Sequence, residues 1–334
     1  MITEKKIFIK KIVVFMVILT LIIIILNAVY WKIVIEKKNV YRAEKAYLDV
    51  IQQNKTIDYA FFGDSHTRDA VNPAYINSSF NFGTGDENYI KTYYKIKRLL
   101  DNNDNNNNNI KIKMLFLEID PHSFSPVLFD QQRVMSDIWL YSQFIPTNEI
   151  KRFTNKTTIS IYLESNLPVL GNGEDFAVLL IKNHNMYRGW YNDTRNFSAG
   201  NKDKIAEKDI EEHFKETNKF ADPIALEYFE KIILLADENK IPITIVRYPL
   251  SYEYNKELMK ANFSEAEFYS KIIAIMNKHL KEYNKLDYHK IYENNSDYFA
   301  DSHHLNGAGS IIFTKQLNID NNIYNKEKAV KISN

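Results

Sequence analysis

From Ile12 to Trp31 the chain is almost wholly apolar, broken only by Thr20 and Asn27. About twenty such residues are what a helix needs to cross a hydrocarbon core of roughly 30 Å. A run with no polar face does not suit a helix lying on a globular core. Lys5, Lys6, Lys10 and Lys11 precede it, and Tyr30 with Trp31 marks the far interface. A cleaved signal peptide would have a shorter apolar region followed by small residues, whereas Val29-Tyr30-Trp31 stands here. The expectation is a cytoplasmic tail over 1–11, a retained transmembrane anchor over 12–31 and a stalk, linker or first amphipathic helix over 32–55. Lys32, Lys37, Lys38 and Arg42 balance the basic residues on the other side, so the positive-inside rule does not set the orientation. The short N-terminal tail makes inside-N, outside-C the default. That topology puts the rest of the chain outside the plasma membrane.

The 334 residues suffice for one large domain or two smaller ones. Lys+Arg 43 against Asp+Glu 42 leaves a net charge of +1, so no global field recruits nucleic acid. Cysteine is absent, which excludes a disulfide scaffold, a thiolate zinc site and a cysteine nucleophile.

Beyond the linker the pattern alternates. Strands are expected at Ile57 to Phe62, Lys113 to Ile119, Ile241 to Tyr248 and near Tyr288 to Tyr292. Helices are expected at residues 88–100, Pro223 to Lys240, about Ser264 to Tyr283 and Gly307 to Leu317. Asp101 to Asn109 reads as an asparagine-rich surface loop. Strand–helix alternation argues for an α/β fold with a mostly parallel sheet covered on both faces. The stretch of about 126–222 breaks the rhythm and reads as a helical insertion in a domain spanning 56–325.

Two short motifs carry chemistry. Gly63-Asp64-Ser65 follows the first strand, and Asp301-Ser302-His303-His304 precedes the last helix. A serine hydroxyl needs a positioned base, itself oriented by a third group. Ser65, His304 and Asp301 supply those parts. In an open α/β sheet, ligands bind outside the carboxyl ends of the strands, where both motifs are expected to meet.

These blocks resemble those of the SGNH/GDSL hydrolase superfamily, whose fold is a three-layer α/β/α sandwich. Gly63-Asp64-Ser65 is similar to its nucleophile block, and Asp301-x-x-His304 with Leu305-Asn306-x-x-Gly309 to its last block. The resemblance implies Ser65 as nucleophile, His304 as general base and Asp301 as its orienter. Asn81-Phe82-Gly83-Thr84-Gly85-Asp86 looks like the glycine block, implying an oxyanion hole from the N–H groups of Ser65 and Gly85. The family's Gly-x-Asn-Asp block is absent, and Glu118-Ile119-Asp120-Pro121-His122 stands after the second strand instead. The layout of anchor, domain and insertion resembles the accessory proteins that work beside membrane-bound O-acyltransferases.

Each remaining candidate has a plainer alternative. Arg247, at the end of an apolar strand, either binds an anionic substrate group or pairs with a structural carboxylate, since a lone buried charge is costly. His66 and His122 either touch substrate or pack. Asp64 reads as a turn-former, His303 as a neighbour facing away, and Trp190, Tyr187 and Tyr191 as aromatic packing or sugar-stacking residues. No phosphate loop is present and no spacing demands a metal, so no cofactor is expected.

The reading is serine-dependent O-acyl transfer, of acetyl above all, to a cell-surface polysaccharide or teichoic-acid-like polymer. A membrane-bound O-acyltransferase would be its partner. Hydrolysis by the same triad, as an esterase, is the alternative. A non-catalytic scaffold for a membrane acyltransferase is a second one.

Overall fold

The computed structural model describes residues 2–53, 55–105, 112–130, 133–171, 186–214 and 220–321. The chain divides into two compact units, Met1–Tyr41 with Asp137–Asn183, and Arg42–Ser136 with His184–Asn334. The stretch expected as one insertion, 126–222, is shared between them.

In the first unit, helix α1 (Ile2–Ile33) carries the apolar run. An eighteen-residue window of it has a mean hydropathy of 3.2, and none of that window is buried. The helix is long and apolar enough to cross a membrane. Its C-terminal end is different. Tyr30, Val34 and Ile35 are buried with Trp139 and Leu140 in a small apolar cluster, and Trp31 packs edge-on against Trp139 at 5.6 Å. Tyr30, Val34 and Ile35 are therefore packed, while Lys32 and Ile33 between them are exposed. α2 (Asn39–Gln52) begins at the end of this stretch and belongs mostly to the second unit; α5 (Ile138–Tyr141), α6 (Thr147–Phe153) and α7 (Thr158–Asn166) are further α-helices of the first unit among the described residues.

The second unit is built on a parallel sheet of β1 (Tyr59–Phe62), β2 (Ser79–Asn81), β3 (Met114–Glu118), β6 (Ile243–Arg247) and β7 (Asn284–Asp287). The strand order is β2-β1-β3-β6-β7, and all four pairings are parallel. A two-stranded hairpin, β4 (Met186–Tyr187) with β5 (Trp190–Tyr191), stands apart from it. Every residue of β1, β2, β3 and β6 is buried, as expected of strands covered on both faces. Side chains alternate across a strand. Tyr59 and Phe61 thus join Met114, Phe116 and Val246 in the cluster that holds Phe313 and Leu317.

The helices of this unit are α3 (Ser65–Ala70), α4 (Tyr89–Asn105), α8 (Lys202–Phe214), α9 (Pro223–Glu238), α10 (Tyr252–Lys260), α11 (Glu265–His279) and α12 (Gly307–Asp320). α4 and α11 pack on α9, and α12 packs on α3. The order has its switch point between β1 and β3, where chain directions diverge and leave a crevice beyond the strand ends. Ser65 follows one of these strands and Asp120 the other.

Three local expectations are corrected. The strand expected near 288–292 lies at β7, and 289–294 form turns. Tyr288 is drawn into the core instead. The asparagine-rich loop begins as helix, because α4 runs on to Asn105. The rest of that run lies outside the described residues. β2 and α10 lie outside the expected elements.

Candidate active site

Ser65 opens α3 directly after β1, so its hydroxyl stands on the strand-to-helix turn. Gly63 makes that turn possible. A Cβ there would lie 2.1 Å from both Glu118 Oε2 and Thr67 Oγ1. Asp64 caps the helix, its Oδ1 accepting the His66 N–H at 2.8 Å. From β2, Asn81 ties the helix down, its Nδ2 donating to the carbonyls of Thr67 (2.7 Å) and Val71 (2.8 Å). Asn81 Oδ1 accepts the Gly83 N–H at 2.9 Å.

The second motif folds around its own carboxylate. Asp301 Oδ1 accepts the N–H groups of His303 (3.2 Å) and His304 (2.9 Å). His304 Nδ1 stands 3.0 and 2.9 Å from the two Asp301 oxygens, and its Nε2 stands 2.7 Å from Ser65 Oγ. Asn306 caps α12 through the N–H groups of Ala308 and Gly309, fixing the segment just after the imidazole. The three predicted residues thus form one continuous relay. Arg195, which sequence reasoning missed, donates to Asp301 at 3.0 Å and to Asp193 at 2.7 Å.

Electrostatics follow from this arrangement. Burial opposes ionisation of Asp301, but the His304 and His303 rings and Arg195 outweigh it and hold the carboxyl well below its usual range. Burial also disfavours a charged His304, yet the Asp301 charge and hydrogen bond raise it to about 9.

Beneath Ser65 lies a buried polar cluster. Glu118 Oε2 accepts from the Asp64 N–H (2.9 Å) and the Thr67 hydroxyl (2.7 Å). Ser123 Oγ is 2.7 Å from Glu118 Oε1 and 2.9 Å from Asp64 Oδ2. A hydroxyl has one hydrogen, so it cannot donate to both carboxylates, and one of them must carry a proton. Burial, with the Asp64 charge added, pushes Glu118 up to about 8, which makes it that acid. His122 Nε2 touches Asp64 Oδ2, and burial lowers this imidazole to about 4, leaving it neutral.

The remaining candidates fall on both sides of the site. His122 lines, with Ser65, a small pocket of about 40 Å³ that includes Ser125, Val127, Leu128 and His213. His66 does not line it. Its side chain is buried, with Nδ1 3.1 Å from Asp120 Oδ2, so a substrate contact by His66 is corrected to a buried pairing. Arg247 is also corrected. It is bound by Glu265 and Asp287, both at 2.8 Å, and lies over the Tyr269 ring. Trp190 is buried and its Nε1 donates to the Asp69 carbonyl, while Arg68 covers Tyr191. Packing takes up both rings.

Gly83 is the glycine pressed against the turn that carries Ser65. A Cβ there would meet Arg68 N at 2.6 Å and Asp64 O at 2.8 Å. At Gly85 the nearest atom is the movable Arg68 Nη1. The family resemblance implied Gly85; only the path of the chain after β2 identifies Gly83. No protein-family model and no curated protein matches the chain.

Proposed function

We propose that the protein is a membrane-anchored serine acyltransferase of SGNH type, moving a small acyl group, acetyl above all, onto a hydroxyl of a cell-surface polymer. The observation that carries this reading is the 2.7 Å contact between His304 Nε2 and Ser65 Oγ, with Asp301 on the opposite ring nitrogen. The parallel sheet with helices packed about it supports the three-layer resemblance. The placement of Ser65 at the switch point supports it further.

In the reaction, Ser65 Oγ attacks the carbonyl carbon of an ester donor and its proton passes to His304 Nε2. The C–O bond to the donor alcohol breaks as His304 returns the proton to that leaving oxygen. The acceptor hydroxyl then attacks the acyl-serine, losing its proton to His304. Breaking the Ser65 ester bond restores the serine with that proton. The Ser65 N–H, at the start of α3, has no acceptor within its own helix and is a donor for the oxyanion. His122 stands where the family's amide-bearing block is missing.

The pocket beside Ser65 limits the acyl group. A water needs roughly 10–15 Å³ of such space, so the pocket takes about three heavy atoms. α1 favours transfer over hydrolysis, since an anchored domain stays beside a membrane-borne donor or a partner acyltransferase. The inside-N, outside-C orientation puts it there on the outer face.

The test uses full-length protein in detergent. A fluorophosphonate probe should label Ser65, and Ser65→Ala and His304→Ala should abolish labelling. With p-nitrophenyl acetate and an oligosaccharide, ester on the sugar supports transfer. Acetate release indifferent to sugar assigns an esterase. An unlabelled wild-type chain would overturn the serine reading and favour a scaffold.

A further inference from the structure

We propose that His66, His303 and His304 form a binding site for a divalent cation of the zinc class, and that its occupation withdraws His304 from Ser65. The competition with Ser65 rests on the serine reading above; cation binding itself does not.

The three rings come from two distant segments and meet at the same sheet edge. Their centroids lie 5.2 Å (His66–His303), 5.3 Å (His66–His304) and 3.9 Å (His303–His304) apart. Each offers one nitrogen, and the three nitrogens all lie within 4.8 Å of one another. Small rotations of the rings bring such a set to the Zn–N distance of about 2.0–2.1 Å.

Two observations point to a ligand beyond mere proximity. The Nδ1 atom of each ring faces its own carboxylate: Asp120 at 3.1 Å from His66, Asp209 at 3.2 Å from His303, and Asp301 at 2.9 Å from His304. Ligating imidazoles are almost always held in this way, their second nitrogen bonded to a carboxylate that orients the ring and raises its basicity. Nε2 is then the nitrogen left for a cation on all three. The second observation is His66 Nε2 itself. His66 is 1% exposed, and this atom has no hydrogen-bond partner. A buried polar atom without a partner is costly to keep, and a cation would satisfy it.

Three imidazoles without a thiolate suit zinc and its neighbours better than magnesium or calcium. A three-histidine set leaves the fourth tetrahedral position open, and Ser65 Oγ lies 2.7 Å from His304 Nε2. His304 Nε2 cannot hold a cation and take the Ser65 proton together.

Equilibrium dialysis of detergent-solubilised full-length protein against Zn²⁺ tests the proposal, with Co²⁺ absorption reporting the coordination number. The expected result is one bound cation per chain at micromolar concentration, with a tetrahedral Co²⁺ spectrum. His66→Ala should abolish it. Asp209→Asn, at a partly exposed position, should weaken it about 10- to 100-fold without removing a ligand. Fluorophosphonate labelling should fall as Zn²⁺ is added and return with a chelator, each variant compared with its own metal-free rate. Absence of binding, or binding unchanged in both variants, overturns the proposal. Binding that depends on His66 and Asp209 in a chain whose Ser65 is never labelled would sink the serine reading and leave the cation site standing.

Discussion

Asp301 holds His304 by its main chain and by its ring, so the carboxylate both orients the imidazole and favours its charged form. A base must be neutral to take a proton. With His304 raised to about 9, labelling of Ser65 in chelator-treated protein should climb with pH and inflect near 9. Asp301→Asn removes the opposing charge and leaves burial unbalanced. Its inflection should drop below the ordinary histidine value of about 6.5, and its maximal rate should fall by the order of 10⁴. Glu118 behaves in the opposite sense to an ordinary carboxylate. The folded state keeps its proton up to about 8, whereas an unfolded Glu releases it near 4.5. Between those values the native chain binds more protons, so stability falls as pH rises through that window. Glu118→Gln, a neutral near-isostere, should cost less than about 1 kcal/mol and erase this slope in denaturant titrations. Glu118→Ala strands the Asp64 N–H and the Thr67 hydroxyl and should cost roughly 2–3 kcal/mol or more.

The turn that carries Ser65 is made by three elements together, since β1 delivers Ser65, β2 supplies Asn81, and the loop after β2 lays Gly83 against α3. Gly83→Ala would drive a Cβ into backbone on both sides, and such overpacking costs about 1–3 kcal/mol. Ser65 labelling should fall with it, because Asp64 O must shift. Gly85→Ala meets only the end of the Arg68 side chain and should be close to neutral in both thermal melting and labelling. Equal damage from the two substitutions would contradict this assignment. At the far edge, β7 carries Asn284, Lys285 and Asp287, all exposed. It thus shows no alternating apolar face, and the nearby Tyr288 and Tyr292 drew the expected strand four residues too far along.

At the scale of the whole molecule, α1 serves two purposes along its length. Its apolar run is unburied, while its last turn closes a cluster with Trp139. The full chain should stay with membranes through alkaline carbonate washing. A chain beginning at Val40 should be released, and it also loses Tyr30, Val34 and Ile35 from that cluster. Trp139 should then show red-shifted fluorescence, whereas a chain beginning at Asn27 should retain the blue-shifted emission. An unshifted spectrum from the shorter chain would show that the cluster is not needed to bury Trp139.

Sequence alone determined the membrane-length helix, the buried strands β1, β3 and β6, and the residues of the relay. The helix and strands are written in local periodicity, and the relay in two short motifs and the family blocks they resemble. It could not place β2, three residues long, or find Asn81, Arg195 and the Glu118 proton. Nor did any spacing announce the meeting of His66 with His303 and His304. Those features belong to contacts between distant segments, such as Arg195 and Asp301, 106 residues apart. Only the order of strands in the sheet brings such segments to one edge, because the divergence of the chain between β1 and β3 leaves the crevice where they converge.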